Sequence, residues 1–450
     1  MKKIDPMNVD LDPLLSNVQG NILKGHGRDY TTHLFLKFRE GRVLQTKSWL
    51  KYFQENFLTS FKKQLYERDL FKRNRTRGGL FASLLITRLG YLYLGFDDVD
   101  NKLKDAGFLS GMKGRPMLHD PDPLRWEPGF QGDIHAMILL ADDDRDRLRG
   151  TSNALTSELR LFSELLTVEY GNVLRNQNGD GIEHFGYVDG VSQPLFLKDD
   201  VDDYFAFHAT DPRHAKFDPA ADTSLVLVPD PYASPDDKDA FGSYFVFRKL
   251  EQHVHAFKRA EEELGLDELG GAYIVGRFED GSPVVVTDDE GMIGGGNFNN
   301  FNYDADPSGG RCPHFAHVRK SNPRRDHADK AHIMARRGIP FGAPANVHAE
   351  GILSVSSEEP VGLLFMSFQS SIVNQFEFIQ QNWVNNPSFP KDDTGVDPII
   401  GLPENFSPAS YQFPDGYGKS GRVPKTFGQF VSMRGGEYFF APSMSFFKTL

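Results

Sequence analysis

Residues 311–337 concentrate the side chains best suited to chemistry. They hold Arg311, Arg319, Lys320, Arg324, Arg325, Lys330, Arg336 and Arg337 against only Asp326 and Asp329, inside a chain of formal net charge −12. They also hold His314, His317, His327 and His332, out of 14 histidines in all. Arginine forks bind carboxylates, and a neutral imidazole is a ready metal ligand. The segment therefore reads as a site for an anionic ligand with a histidine to spare for a metal. A solvated basic face has the same composition, so two further patterns matter. One is His184-Phe185-Gly186-Tyr187-Val188-Asp189-Gly190-Val191-Ser192-Gln193-Pro194, whose glycines let the backbone turn tightly beside a flat ligand with Asp189 on the turn. The other is Cys312-Pro313-His314-Phe315-Ala316-His317-Val318-Arg319, followed by Arg336-Arg337-Gly338-Ile339-Pro340-Phe341-Gly342.

These segments resemble the motifs of the dye-decolorising peroxidases, a family of haem b enzymes. Gly186 to Gly190 is similar to the family's GxxDG signature, the run around His317 to its haem-ligand motif, and Arg336 to Gly342 to its distal arginine segment. Asn17-Val18-Gln19-Gly20-Asn21-Ile22-Leu23-Lys24-Gly25 and Met433-Arg434-Gly435-Gly436-Glu437-Tyr438-Phe439-Phe440-Ala441-Pro442 extend the resemblance to both ends, and the length is like that of the longer bacterial branch. The resemblance implies an α+β fold of two ferredoxin-like units, antiparallel sheets with helices, holding one haem b (iron protoporphyrin IX) per chain between them. It implies a peroxidase that reduces hydrogen peroxide and oxidises small organic donors such as dyes and phenolics through a ferryl intermediate.

The same resemblance assigns roles. His317 is the expected proximal ligand of the haem iron, with Asp397 of Gly395-Val396-Asp397-Pro398 accepting from its other ring nitrogen. A carboxylate there makes the imidazole electron-rich, as high-valent iron requires. Asp189 is the expected acid–base for peroxide, and Arg336 the cation beside it, with Arg337 as the competing neighbour. A carboxylate base stays ionised in mild acid, so acidic pH should favour oxidation. Arg319 is expected on a haem propionate, and Leu363 and Phe365 on the wall of the distal pocket, being two apart on a strand.

Other readings compete. Cys312 could be a thiolate ligand to haem iron, as in a thiolate-haem oxygenase. A haem storage or iron-release protein would keep His317 without needing Asp189. Glu261, Glu262, Glu263, Glu268 and Glu279 could offer manganese a site but read first as a solvated helix face. Trp126, Trp383 and Tyr438 are candidate electron relays, Trp383 being core first. Gly294-Gly295-Gly296 lacks the strand and helix that a phosphate loop needs.

The elements that must position these residues follow from periodicity. The chain has 450 residues, 39% hydrophobic and 25% charged, which fits a folded protein of two units or one with large insertions. Its acidic balance argues against nucleic acid, and its single cysteine excludes an internal disulfide or a multi-cysteine metal site. No apolar run reaches the ~18 residues of a membrane span. With no signal segment at Met1-Lys2-Lys3-Ile4-Asp5-Pro6, the expected location is cytoplasmic; monomer and homo-oligomer stay open. Strands are expected at 34–38, 134–141, 165–170, 244–247, 363–368 and 437–441. A hairpin is expected from 84–87 and 91–96, and another from 352–356 and 363–368. Helices are expected at 142–161, from Leu250 to Leu264, and along the stripe Ile372, Phe376, Ile379 and Trp383. The order strand–helix–strand–strand–helix–strand occurs twice. It gives an N-terminal unit over 1–195 with the GxxDG segment and a C-terminal unit over 196–450 with a haem-binding insertion at 281–350.

Overall fold

The strongest apolar runs become the strands of one sheet. The computed structural model describes residues 3–208, 215–291, 299–343, 360–402 and 409–450. Its first half contains β1 (Tyr30–Phe38), β2 (Phe81–Ile86), β3 (Ala136–Asp142) and β4 (Ser163–Asn172). The second half adds β5 (Phe241–Gln252), β6 (Ile339–Phe341), β7 (Gly362–Gln369) and β8 (Val431–Ala441). The strand order is β6-β7-β5-β8-β2-β3-β1-β4, antiparallel throughout. In each half the first strand lies between the third and the fourth, with the second outside the third, which is the ferredoxin-like arrangement. Helices α1 (Val43–Asn56), α2 (Phe61–Asn74) and α3 (Arg145–Leu159) complete the first unit. The second is completed by α4 (Val254–Glu263) and two π-helical segments, Val373–Glu377 and Ile379–Val384.

The two halves pair through Phe440 of β8 and Ile86 of β2. The outermost strands also meet, since a Cβ on Gly171 of β4 would fall 2.6 Å from Ile339 Cγ2 of β6. One apolar cluster consequently runs through both halves, with Leu34, Phe35, Ile138, Phe245, Phe247 and Phe439 fully buried. Phe35 meets Phe247 edge-on at 4.8 Å between ring centroids. Burying a ring of this size stabilises by roughly 1.5–3 kcal/mol, so the phenylalanine-rich composition is largely core. A second cluster, including Phe185, Phe257, Phe315 and Tyr411, underlies the site described below.

Several local expectations give way to specific interactions. The hairpin expected from 84–87 and 91–96 does not form. Thr87 instead caps a short helix, Arg88–Tyr93, its Oγ1 accepting from Gly90 N–H at 3.1 Å. The partner of β2 is β3, fifty residues on. Leu250 belongs to β5 and not to the helix that follows. The partner of β7 is β6, a three-residue strand inside the insertion 281–350. The strand expected at 352–356 and the run Gly294–Gly296 lie outside the described residues. The stripe from Ile372 to Trp383 is helical as its spacing predicts, but wound as a π-helix: Glu377 N–H donates to Ile372 O at 2.9 Å and Asn385 N–H to Gln380 O at 2.8 Å. Such windings often mark functional sites.

The capped helix makes a direct prediction. A Cβ on Gly90 would sit 2.1 Å from the backbone oxygen of His135. Gly90→Ala should therefore destabilise by about 2–3 kcal/mol, although alanine is the better helix former. Urea unfolding checks this, and an unchanged midpoint would contradict the packing.

Candidate active site

The local structure around His317 is set by buried cations. Helix α5 (His317–Ser321) is only five residues long, too short to hold itself. Lys320, fully buried, anchors it by donating to the carbonyls of Asn386, Phe389 and Gly395 at 2.8, 2.8 and 2.6 Å. That anchor also fixes the segment leading to Asp397. Asp397 is fully buried; its Oδ1 accepts from the N–H groups of Ile399 and Ile400 at 2.8 and 3.0 Å. Its Oδ2 receives His317 Nδ1 at 2.8 Å. Burial opposes charge on His317, but Asp397 outweighs it and holds the imidazole pKa above its ordinary value. Burial likewise opposes charge on Asp397, yet His317 and the two amides keep its carboxyl below the usual range. With Nδ1 engaged, Nε2 is the ring nitrogen left for the cavity that His317 lines.

The GxxDG segment is a tight hairpin. Ile182 bridges Val188, Asp189 N–H donates to Gly181 O at 3.0 Å, and Gly186 sits at φ 103°. Phe185 stacks on Phe257 of α4 at 4.0 Å, and His184 contacts Phe341 O of β6 at 2.8 Å. The arginine segment is tied to the same hairpin: Arg336 donates from Nη2 to Val191 O at 2.8 Å and from its backbone to Gln193 Oε1 at 3.0 Å. Arg337 spends its guanidinium on the carbonyls of Asn21, Ile22 and Arg336. Gln19, also in the opening motif, is buried against Leu84 and Pro442, so that motif stitches the chain's two ends to the sheet.

His317, Asp189, Arg336, Leu363 and Phe365 all line one cavity of about 310 Å³. Asp189 and Arg336 lie near enough to His317 for their charges to act on it. Leu363 and Phe365 face the cavity while Leu364 and Met366 are buried on the other face of β7, as period two requires. Phe376, Ile379 and Gln380 of the π-helical segments add to the wall.

Arg319 sits apart from the other expected site residues. It is not among the cavity-lining residues; its guanidinium pairs with Asp306 at 2.9 Å, donates to Cys312 O at 2.5 Å and covers the Tyr303 ring. Because α5 is helical, a residue two beyond His317 points to roughly the opposite face. Two buried arginines do line the cavity: Arg248, which is paired with Asp120, and Arg277, its pKa lowered to about 10 by burial; no motif singled out either. Glu183, one residue before the quoted GxxDG stretch, lines it as well. Cys312 is buried outside the lining, its thiol pushed up to about 12 by burial, which removes the thiolate reading. His314 turns to Pro307 O. Glu261 is not on a wet face: it accepts from Tyr187 Oη and pairs with Lys258 at 2.7 Å. Trp126, Trp383 and Tyr438 are buried.

The lining fits a prosthetic group that brings its own metal ligands. Among the described residues no three His, Cys, Asp or Glu side chains converge on a point, so His317 would be the single side-chain ligand. Arg248 Nη1, Gln252 Oε1 and Gln429 Oε1 are buried lining atoms without a protein partner, which an occupant or water would satisfy. Arg277 and Arg336 supply cations for its acidic groups.

Comparison with known proteins agrees with this architecture. A family model described as the C-terminal part of Dyp-type peroxidases matches residues 215–394, and one described as the DyP dimeric alpha+beta barrel domain matches 17–172. The multifunctional dye peroxidase DyP2 of Amycolatopsis sp. is 39% identical, over 97% of this chain and 96% of its own. Dye-decolorizing peroxidase msp1 of Mycetinis scorodonius is 31% identical, over 97% of this chain and 87% of its own. The crystal structure of a DyP-type peroxidase from Anabaena sp. has a TM-score of 0.91 at 41% identity, covering 99% of this chain and 97% of its own. The structure of DyP2 from Amycolatopsis sp. gives 0.89 at 37% identity, covering 100% and 99%. Fold and site together define a haem peroxidase. The chain belongs to the dye-decolorising peroxidase family. No helix among the described residues is long and apolar enough to cross a membrane.

The His317–Asp397 pair can be tested without haem. Asp397→Asn leaves burial acting on the imidazole with no counter-ion. The His317 pKa, now above its ordinary value, should then fall below ~6.5 in the hemin-free protein. An NMR pH titration of the ring reads this, and an unmoved pKa would contradict the pairing.

Proposed function

We propose that the cavity takes one haem b per chain, with iron on His317 Nε2, and that hydrogen peroxide is reduced there at the expense of small organic donors such as dyes and phenolics. The observation that carries this reading is the His317–Asp397 pair, its carboxylate fully buried and its imidazole opening into the cavity that Asp189 and Arg336 line. When bound, the haem would supply the two electrons needed to split the O–O bond, to be replaced by the donor.

The chain's residues do the rest. Asp397 accepts from Nδ1, which fixes the ring's tautomer and its orientation and enriches the ligating nitrogen. Asp189 takes the proton from one peroxide oxygen and delivers it to the other, which leaves as water. Arg336, held by Val191 and Gln193 on Asp189's own loop, stabilises negative charge on the departing oxygen. Arg277, which lines the cavity as Arg319 does not, would hold the haem's carboxylates, and their charge would relieve the burial that depresses its pKa. A haem storage role would leave Asp189 and Arg336 without a task.

His317→Ala should abolish the Soret absorption of the purified, hemin-supplied protein. Asp189→Ala and Arg336→Ala should keep it while slowing the spectral change on mixing with peroxide by about 10²-fold or more. Stopped-flow absorbance checks both. Full hemin occupancy and activity in His317→Ala, or unchanged rates in the two distal variants, would contradict the assignment.

A further inference from the structure

The hairpin carrying Asp189 is organised around a carboxylate that the mechanism above does not use. Glu183 opens the turn, and its side chain folds back into it. Oε2 accepts from Phe185 N–H at 2.8 Å and Oε1 from Tyr187 N–H at 3.0 Å. Its backbone closes the same turn, with Glu183 N–H donating to Tyr187 O at 3.1 Å and Gly186 N–H to Glu183 O at 3.0 Å. A third donor, Gln252 Nε2, comes from the end of β5. One side chain thus joins the loop's amides to the sheet, and the second of those amides, Tyr187, lies two residues before Asp189 on the cavity wall. Glu183 itself lines that cavity.

We propose that Glu183 is the positioning residue for Asp189: it holds the turn in the one conformation that presents the distal carboxylate to peroxide. The inference rests on the role given to Asp189 above. A carboxylate suits this turn because the two N–H groups reach different oxygens, Phe185 N–H meeting Oε2 and Tyr187 N–H meeting Oε1. A glutamine offers one, and an alanine none. Val188 N–H bonds to Glu279 O at 3.1 Å beyond the turn, so removing the Glu183 side chain loosens the turn without detaching the whole loop. Burial pushes the Glu183 carboxyl up to about 7, so in mild acid it carries a proton. Protonation leaves both carboxyl oxygens in place on the turn. Both backbone N–H groups then keep an oxygen across the acidic range.

The experiment compares Glu183→Gln, Glu183→Ala, Asp189→Ala and Glu183→Ala/Asp189→Ala. In the hemin-free protein, amide exchange at Phe185 and Tyr187 should quicken at least ~10-fold in Glu183→Ala and less in Glu183→Gln, with the sheet amides unchanged. In the hemin-loaded protein, kcat/KM for peroxide should fall by about 10²-fold in Glu183→Ala, with partial rescue in Glu183→Gln and an unchanged KM for the donor. The double variant should be no slower than Asp189→Ala alone, since Glu183 acts through Asp189. Unchanged exchange, an unchanged peroxide step, or losses that simply multiply in the double variant would each overturn the inference. A normal peroxide step in Asp189→Ala would instead show that the role of Asp189 is wrong, and the inference would fall with it.

Discussion

An imidazole held by a fully buried carboxylate sets the terms for the rest of this molecule. His317 and Asp397 are 80 residues apart in sequence, and the contact at 2.8 Å exists only because both flanking segments are pinned. Removing one partner of such a pair leaves an uncompensated charge, at a cost of about 3–5 kcal/mol. The fold therefore has to supply company for both. It does so with Lys320 in a ring of three carbonyls and with the amides of Ile399 and Ile400 on the carboxylate. Asp397 is at once the counter-charge of an imidazole and the cap of the turn that runs through Pro398 to Ile400.

Arginines divide the remaining labour by burial and by what they already touch. Arg319 and Arg337 are consumed by the protein, one by Asp306 and Cys312 O, the other by three carbonyls. They join the proximal loop and the opening segment to the site. Arg336 keeps one foot on the distal hairpin and lines the cavity, and Arg277 is buried at its wall. A cluster that composition alone would describe as a basic patch is thus mostly internal framework, with a minority turned toward a ligand. The distal hairpin, the arginine segment and β6 are cross-linked through Val191, Gln193, His184 and Phe341, so the groups meant for peroxide move as one unit.

What the sequence discloses follows the range of the interactions. His317, Asp189 and Arg336 sit in short motifs whose residue types and order carry the chemistry, and the cavity brings all three together. The strand order was legible because βαββαβ repeats in the hydrophobic pattern. The failures are equally physical. Arg319 was expected on a haem propionate because its fork suits a carboxylate, but the carboxylate it meets is Asp306, and the helix turns it away from the face of His317. The 84–96 hairpin gave way to a helix because one hydroxyl, Thr87 Oγ1, caps Gly90. Strand β6 escaped notice because three residues carry no period. Arg277 had no local signal: its place on the cavity wall is a tertiary fact.

The central claim is that one imidazole, polarised by one buried carboxylate, holds the iron. Resonance Raman spectroscopy of the hemin-loaded, dithionite-reduced protein observes the iron–imidazole stretch directly. The account predicts a strong band in the wild-type protein that moves to lower frequency in Asp397→Asn, as the ring loses the carboxylate that accepts its far N–H. A band at the same frequency in both proteins, or none in the wild type, would contradict it.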